Sequence, residues 1–158
     1  MSSKDKTNVM RVLDSKKIAY GVHTYEPDGT LSGEEIAGIL NEDVSCVFKT
    51  LVTQGKTGAY YVFVVPVAAE LDLKKAAKTA GEKSIEMIKQ KDLLPLTGYI
   101  HGGCSPVGMK KLFPTFIHES AENMEKMYVS GGKVGYQIDV APLALAGLVR
   151  GRFVDIVG

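Results

Sequence analysis

Two apolar, β-prone runs, Cys46 to Thr53 and Ala59 to Val65, flank the short polar stretch Gln54-Gly55-Lys56-Thr57-Gly58. That pattern predicts a β-hairpin with a glycine-containing loop. A second hairpin is expected where Met127 to Ser130 and Val134 to Val140 flank Gly131-Gly132, because both central positions can take positive φ. Strands that arrive as hairpins favour a mixed or mainly antiparallel sheet over regular parallel β-α alternation.

Short helices separate the strands. Apolar residues at Val9, Met10, Val12 and Leu13 form a helical stripe within Lys4 to Lys16, and Ile18 to Tyr25 then reads as a strand. Ser32 followed by Glu35 is a capping-box pattern ahead of Ile36, Ala37, Ile39 and Leu40. Asp72 caps a basic helix from Leu73 to Ala80 that Gly81 ends. Ser84 to Gln90 is expected to be helical, Thr97 to His101 and Phe116 to His118 to be strands, Ala141-Pro142 to open a last helix, and Phe153 to Val157 to close the chain as a strand. The expected class is α+β, as a single domain spanning 1–158.

Charge and cysteines narrow the functions. Nineteen Lys and Arg against eighteen Asp and Glu leave a net charge of +1, which argues against coating a nucleic-acid duplex through an overall field. Cys46 and Cys104 lie far apart and form no Cys-x-x-Cys pair, so neither a disulfide framework nor a cysteine-based zinc site is indicated, and a reduced, cytoplasmic chain is expected. No export signal or membrane span is expected, since the apolar run Ala59 to Ala69 is short and holds Pro66.

Phosphate-loop, dinucleotide-binding and H-E-x-x-H signatures are absent. His23, His101 and His118 show no metal-ligand spacing, and no metal or cofactor is expected. Val107 stands where a nucleophile elbow around Ser105 needs glycine. The loop Gly102-Gly103-Cys104-Ser105-Pro106 exposes backbone amides, and Ser105-Pro106 resembles a helix N-cap and first residue; it reads either as a cradle for a carbonyl or phosphate oxygen or as a plain turn. Strand alternation puts Lys49 on the face of Val47 and Leu51, where it either snorkels to water or points into a groove. Lys74, Lys75 and Lys78 on the basic helix, and Lys110-Lys111 beyond the loop, are solvated surface or a phosphate-docking set. Cys104 reads as a small buried side chain or as a nucleophile, with no Cys-His-Asx arrangement legible around it.

FKTL (Phe48 to Leu51), LKKAAK (Leu73 to Lys78), TGYIHGGCSPVGMKK (Thr97 to Lys111) and YVSGGKVG (Tyr128 to Gly135) together resemble the YbaK/EbsC family of bacterial Cys-tRNA(Pro) deacylases, related to the editing insertion of prolyl-tRNA synthetase. The resemblance runs in order from about His23 to the C-terminus. It implies a mixed, barrel-like sheet flanked by helices and a trans-editing enzyme that hydrolyses cysteine mischarged onto proline tRNA. It also implies that Lys49 is the key functional residue, that Gly102 to Pro106 belong to the substrate pocket, and that Tyr25 and Ser130 are pocket positions. Ser32 stands where some relatives carry a bulky aromatic residue, and the pocket position Gln137 where some carry an acidic one.

The family's chemistry uses the substrate's own thiol as nucleophile, so no protein nucleophile is needed and orientation becomes the protein's task. The implied partners are the aminoacyl-tRNA acceptor end and a prolyl-tRNA synthetase that brings it. Two further readings stand beside this one: a deacylase for another mischarged tRNA such as Ala-tRNA(Pro), and a non-catalytic binder of tRNA ends or nucleotides.

Overall fold

The computed structural model describes residues 6–158. In chain order the elements are α1 (Asn8–Ser15), β1 (Tyr20–Thr24), α2 (Gly33–Ile39), β2 (Phe48–Gly55), β3 (Tyr60–Pro66), α3 (Leu73–Ala80), β4 (Ile85–Met87), α4 (Gln90–Thr97), β5 (Thr115–His118), β6 (Met127–Ser130), β7 (Tyr136–Val140), α5 (Pro142–Val149) and β8 (Arg152–Val154). Single 3-10 turns lie at Val44–Cys46 and Glu119–Ala121. The start of the expected first helix, Lys4 and Asp5, lies outside the described residues.

The strands form a five-stranded sheet in the order β4-β2-β3-β5-β8 and a three-stranded sheet in the order β1-β7-β6. The central hairpin is present, β2 against β3, with Phe48 opposite Pro66 and Gln54 opposite Tyr60. β5 runs parallel to both β3 and β8, so the larger sheet is mixed and the α+β expectation holds. The two sheets do not close into a barrel. β6 meets the larger sheet at one isolated bridge, Val47 to Tyr128, and otherwise the sheets pack through side chains rather than by continued strand pairing.

Alternation explains that packing. Phe48, Val52, Val62, Val64 and Ile117 point from the larger sheet toward Val129, Ile138 and Val140 of the smaller one, with α1 and α5 closing the same core through Met10, Leu13, Leu145 and Val149. The opposite side chains, Phe63, Val65 and Phe116, cover a second core under Ala76 and Ala77 of α3. Phe63 and Val64 are both fully buried, so the middle of β3 is covered on both faces.

The caps expected at Ser32, Asp72 and Gly81 are made. Ser32 Oγ accepts from the Glu35 amide while Glu35 Oε1 accepts from the Ser32 amide. Asp72 Oδ1 accepts from the Lys74 and Lys75 amides, and Gly81 ends α3 at φ +77°. Pro142 opens α5, as expected.

Three local expectations are corrected. Ser84 to Gln90 is not a helix: Ile85–Met87 pairs with Thr53–Gly55 as β4, satisfying the edge of β2, and the helix starts only at Gln90. Thr97 to His101 is not a strand: Thr97 ends α4, Gly98 turns the chain at φ +89°, and the Gly103 amide donates to Ile100 O at 3.0 Å. Gly131-Gly132 is not a two-residue turn: Ser130 is opposite Gln137, the Gly131 amide donates to Tyr136 O, and the positive φ values fall at Gly132 and Gly135. No helix among the described residues is long and apolar enough to cross a membrane.

Candidate active site

The cavity of about 480 Å³ forms where β4 stops covering β2. β4 pairs only with Thr53, Gln54 and Gly55, and the Ile88 amide then donates to Val52 O, so the edge of β2 is open from Phe48 to Leu51. All six residues from Val47 to Val52 line the cavity, which one face of a strand cannot do; its uncovered edge forms the wall. Gly102 and Cys104 of the loop after α4, Tyr25 after the end of β1, Ser130 of β6 and Gln137 of β7 complete the lining.

Tyr25, Lys49, Gly102, Cys104, Ser130 and Gln137 are thus brought to one cavity. Gly103, Ser105 and Pro106 are not on its wall. Gly103 is buried beneath them, where a Cβ would lie 3.2 Å from Lys133 Cα and from the Val134 amide nitrogen, so any larger residue pushes two loops apart. Ser105 is fully buried, and its Oγ accepts from the Val107 amide at 3.3 Å. No helix follows, so the N-cap expectation at Ser105-Pro106 is replaced by a local turn, and Pro106 lines a separate cavity of about 200 Å³. The Tyr99 hydroxyl donates to Val107 O, tying the loop's two ends together. Gly102 holds φ +87°, a conformation that strains any side chain. The amides of Gly102 and Cys104 have no acceptor among the described residues, whereas Gly103 donates to Ile100 O.

Lys49 is half-buried on the β2 edge and forms no ion pair among the described residues. Ser130 Oγ accepts from the Gly132 amide at 3.1 Å. Burial pushes the Cys104 thiol up to about 12, which keeps it protonated at neutral pH. Gln137 is 4% exposed, and its Oε1, like Thr50 Oγ1 and both carboxylate oxygens of Glu42, is buried without a hydrogen-bond partner among the described residues. Burial pushes Glu42 above the usual carboxylate range, partly opposed by the neighbouring Gln137 side chain and by His23. Sequence reading missed Glu42 and Thr50, since nothing in their spacing signals a buried acceptor.

The histidines do not make a hydrolytic centre at the cavity. His23 Nε2 lies 2.6 Å from Asp139 Oδ2 and does not line the cavity; His101 lines it and is exposed. His118 Nδ1 is 2.9 Å from Ser120 Oγ and Nε2 is 3.7 Å from Asp155 Oδ1, a Ser-His-Asp chain in composition. Neither cavity includes it. His118 Nδ1 also accepts from the Ser120 amide as the cap of a 3-10 turn, and Lys75 Nζ holds Asp155 at 2.9 Å. The lysines of α3 line neither cavity.

Residues 27–148 match the family model described as an aminoacyl-tRNA editing domain. The chain belongs to the aminoacyl-tRNA editing domain family. A relative from Enterococcus faecalis, EbsC, named for a Cys-tRNA(Pro)/Cys-tRNA(Cys) deacylase activity, is 44% identical over 155 residues, covering 98% of this chain and 94% of EbsC. The proline-tRNA ligase of Thermosipho africanus is 28% identical over 63% of this chain but only 17% of the ligase. A solved structure described as a trans-editing enzyme for prolyl tRNA synthetase superposes with a TM-score of 0.85 at 25% identity, covering 96% of this editing domain and 95% of that chain. The structure of the hypothetical protein APE2540 shares the fold with a TM-score of 0.88 at 20% identity, over 96% of this chain and all of that one.

Proposed function

We propose that this editing domain is a trans-acting aminoacyl-tRNA deacylase that hydrolyses Cys-tRNA(Pro), with the substrate's thiol as the attacking group. The observation that carries the reading is that Lys49 and the Gly102 turn line one cavity in which the single cysteine, Cys104, is held protonated by burial. The near-full-length likeness to EbsC supports the substrate class.

The steps follow from that arrangement. The Lys49 ammonium, on the open β2 edge, holds the 3′-terminal nucleotide or its phosphate and stabilises developing negative charge. The amides of Gly102 and Cys104, which have no acceptor of their own, orient the ester carbonyl and receive its oxyanion; each such donor supplies roughly 3 kcal/mol. Tyr25, Ser130 and Gln137 shape the space in which the aminoacyl group folds back. The substrate sulfur then attacks the carbonyl carbon, the ester C–O bond breaks, the tRNA leaves with its ribose hydroxyl, and a cyclic thioester opens with water to cysteine. Tethering sulfur and carbonyl in one residue contributes on the order of 7–11 kcal/mol of barrier lowering when the geometry is held.

The deciding experiment compares release of amino acid from Cys-, Ala- and Ser-tRNA(Pro). Cleavage of the cysteine ester alone is expected, since the other two carry no thiol, and Lys49→Ala is expected to abolish it. Equal turnover of alanine and serine esters would require attack by water and would refute the substrate-thiol route. Binding without turnover over the whole panel would refute the deacylase.

A further inference from the structure

The cavity has two rims of opposite charge. From Ile18 to Phe48 the chain carries Glu26, Asp28, Glu34, Glu35, Glu42 and Asp43 and no lysine or arginine. Tyr25, Leu31, Ser32, Gly33 and Ile36 of this acidic stretch line the cavity. From Met87 to Leu112 the chain carries Lys89, Lys91, Lys110 and Lys111 against Asp92 alone, and Met87, Ile88, Gln90, Leu93, His101, Gly102 and Cys104 line the opposite side.

The basic side is assembled in space as well as in sequence. Lys89 precedes α4, and Lys91 leads its outer surface, while Gln90 and Leu93 turn inward to the cavity. Lys110 Nζ reaches Pro95 O at 3.4 Å, which brings a third cation to the far end of the same short helix. The Lys133 backbone packs against Gly103, beside the Gly102 turn. Lys89, Lys91, Lys110 and Lys133 are exposed, and none is held by a carboxylate among the described residues. Lys111 instead lies over the Phe113 ring and lines the smaller cavity. On α3, by contrast, Lys75 is paired with Asp155.

Resting on the deacylase reading, we infer that the acceptor stem of the tRNA crosses the α4 side of the cavity, its phosphates held by Lys89, Lys91, Lys110 and Lys133, and is turned from the opposite side by the exposed carboxylates of Glu26, Asp28, Glu34, Glu35 and Asp43. A polyanion entering a cleft between unlike rims gains on one side and is repelled on the other, and this fixes direction even though the whole molecule is nearly neutral. It also explains why a net charge of +1 does not preclude a phosphate-contacting face.

The test separates the surface from the chemistry. Lys89→Ala/Lys91→Ala, Lys110→Ala/Lys133→Ala and a control pair on α3, Lys74→Ala/Lys78→Ala, are assayed with Cys-tRNA(Pro) from about 0.05 to 0.4 M salt, where phosphate contacts govern affinity. The same variants are assayed with 3′-cysteinyl adenosine, which has no phosphodiester. Each lost phosphate contact lowers the slope of log K against log salt by about 0.7–0.9, or about five- to eightfold at 0.1 M. Either rim pair is therefore expected to lower kcat/KM on tRNA by roughly 25- to 60-fold and the slope by about 1.4–1.8, with the adenosine ester and the α3 pair unchanged. Neutralising the opposite side, Glu26→Gln/Glu34→Gln, is expected to tighten tRNA binding several-fold at low salt, a gain that misfolding cannot mimic.

Unchanged slopes in the rim pairs, an equal loss in the α3 pair, or an equal loss on the adenosine ester would overturn the inference. Should the unaltered protein cleave neither substrate, the deacylase reading fails by itself. Fluorescence anisotropy with uncharged proline tRNA then decides the surface: loss of salt-dependent binding in the rim pairs alone sustains it, and no such loss removes it.

Discussion

If the attacking sulfur belongs to the substrate, Cys104 must be chemically quiet although it lies in the cavity wall. Burial pushes its thiol up to about 12. At pH 7.5 such a group is thiolate about three times in 10⁵, against roughly one in ten for a free cysteine with its ordinary pKa near 8.5. Because only the thiolate alkylates, iodoacetamide is expected to modify Cys104 on the order of 10³-fold more slowly than a free thiol, before any obstruction by the cavity wall. A Cys46→Ser background leaves one thiol to follow by mass spectrometry. Between pH 7.5 and 9.5 the rate is expected to rise about 100-fold without levelling, as for any group titrating well above the range. In parallel, Cys104→Ala and Cys104→Ser are expected to retain deacylation within about threefold, the residual loss coming from altered packing at the cavity wall. Labelling that levels off below pH 9, or two well-folded variants that are both inactive, would refute the argument and return Cys104 to the role of nucleophile.

Two further outcomes concern stability. Tyr99→Phe removes the hydroxyl that donates to Val107 O and leaves a buried carbonyl unpaired, so urea melts are expected to show a loss of about 1–3 kcal/mol. A fall in kcat larger than the change in KM would accompany it, since the same bond ties the Gly102 turn together; an unchanged melt and rate would show the loop held by other means. Glu42 has its folded pKa above the unfolded one, so its charged form destabilises the fold above the folded pKa and has no effect below the unfolded one. Glu42→Gln is therefore expected to raise Tm at pH 8 and leave it unchanged near pH 4, and a gain of equal size at both values would contradict burial of the charge as the cause.

Much of the scaffold was legible because it is encoded locally. Ser32 with Glu35, Asp72 with Gly81, and the alternating Phe48 to Val65 hairpin each contain both halves of the interaction that shapes them. What failed depended on distant partners. Ile85–Met87 is extended because the β2 edge is there to pair with, and Thr97 to Tyr99, β-prone by composition, turns instead at Gly98. Separation into two sheets was equally invisible, since it rests on which faces pack across the core. At the candidate site, resemblance singled out Lys49 and Gly102, which line one cavity, but alternation alone placed Lys49 on a face when the open edge of β2 is what lines the cavity. Thr50 and Glu42 carried no motif at all, their significance arising from burial without a partner.

The pairing of β1 with β7 joins residues far apart in the chain, Tyr20 to Val140 at one end and Thr24 to Tyr136 at the other. Tyr25 follows the first of these strands and Gln137 lies in the second, so the hollow gains both only after everything from β1 through β7 has left the ribosome. An elongating polypeptide, surrounded by correctly charged tRNAs, therefore carries no finished scissors until that late strand has been made.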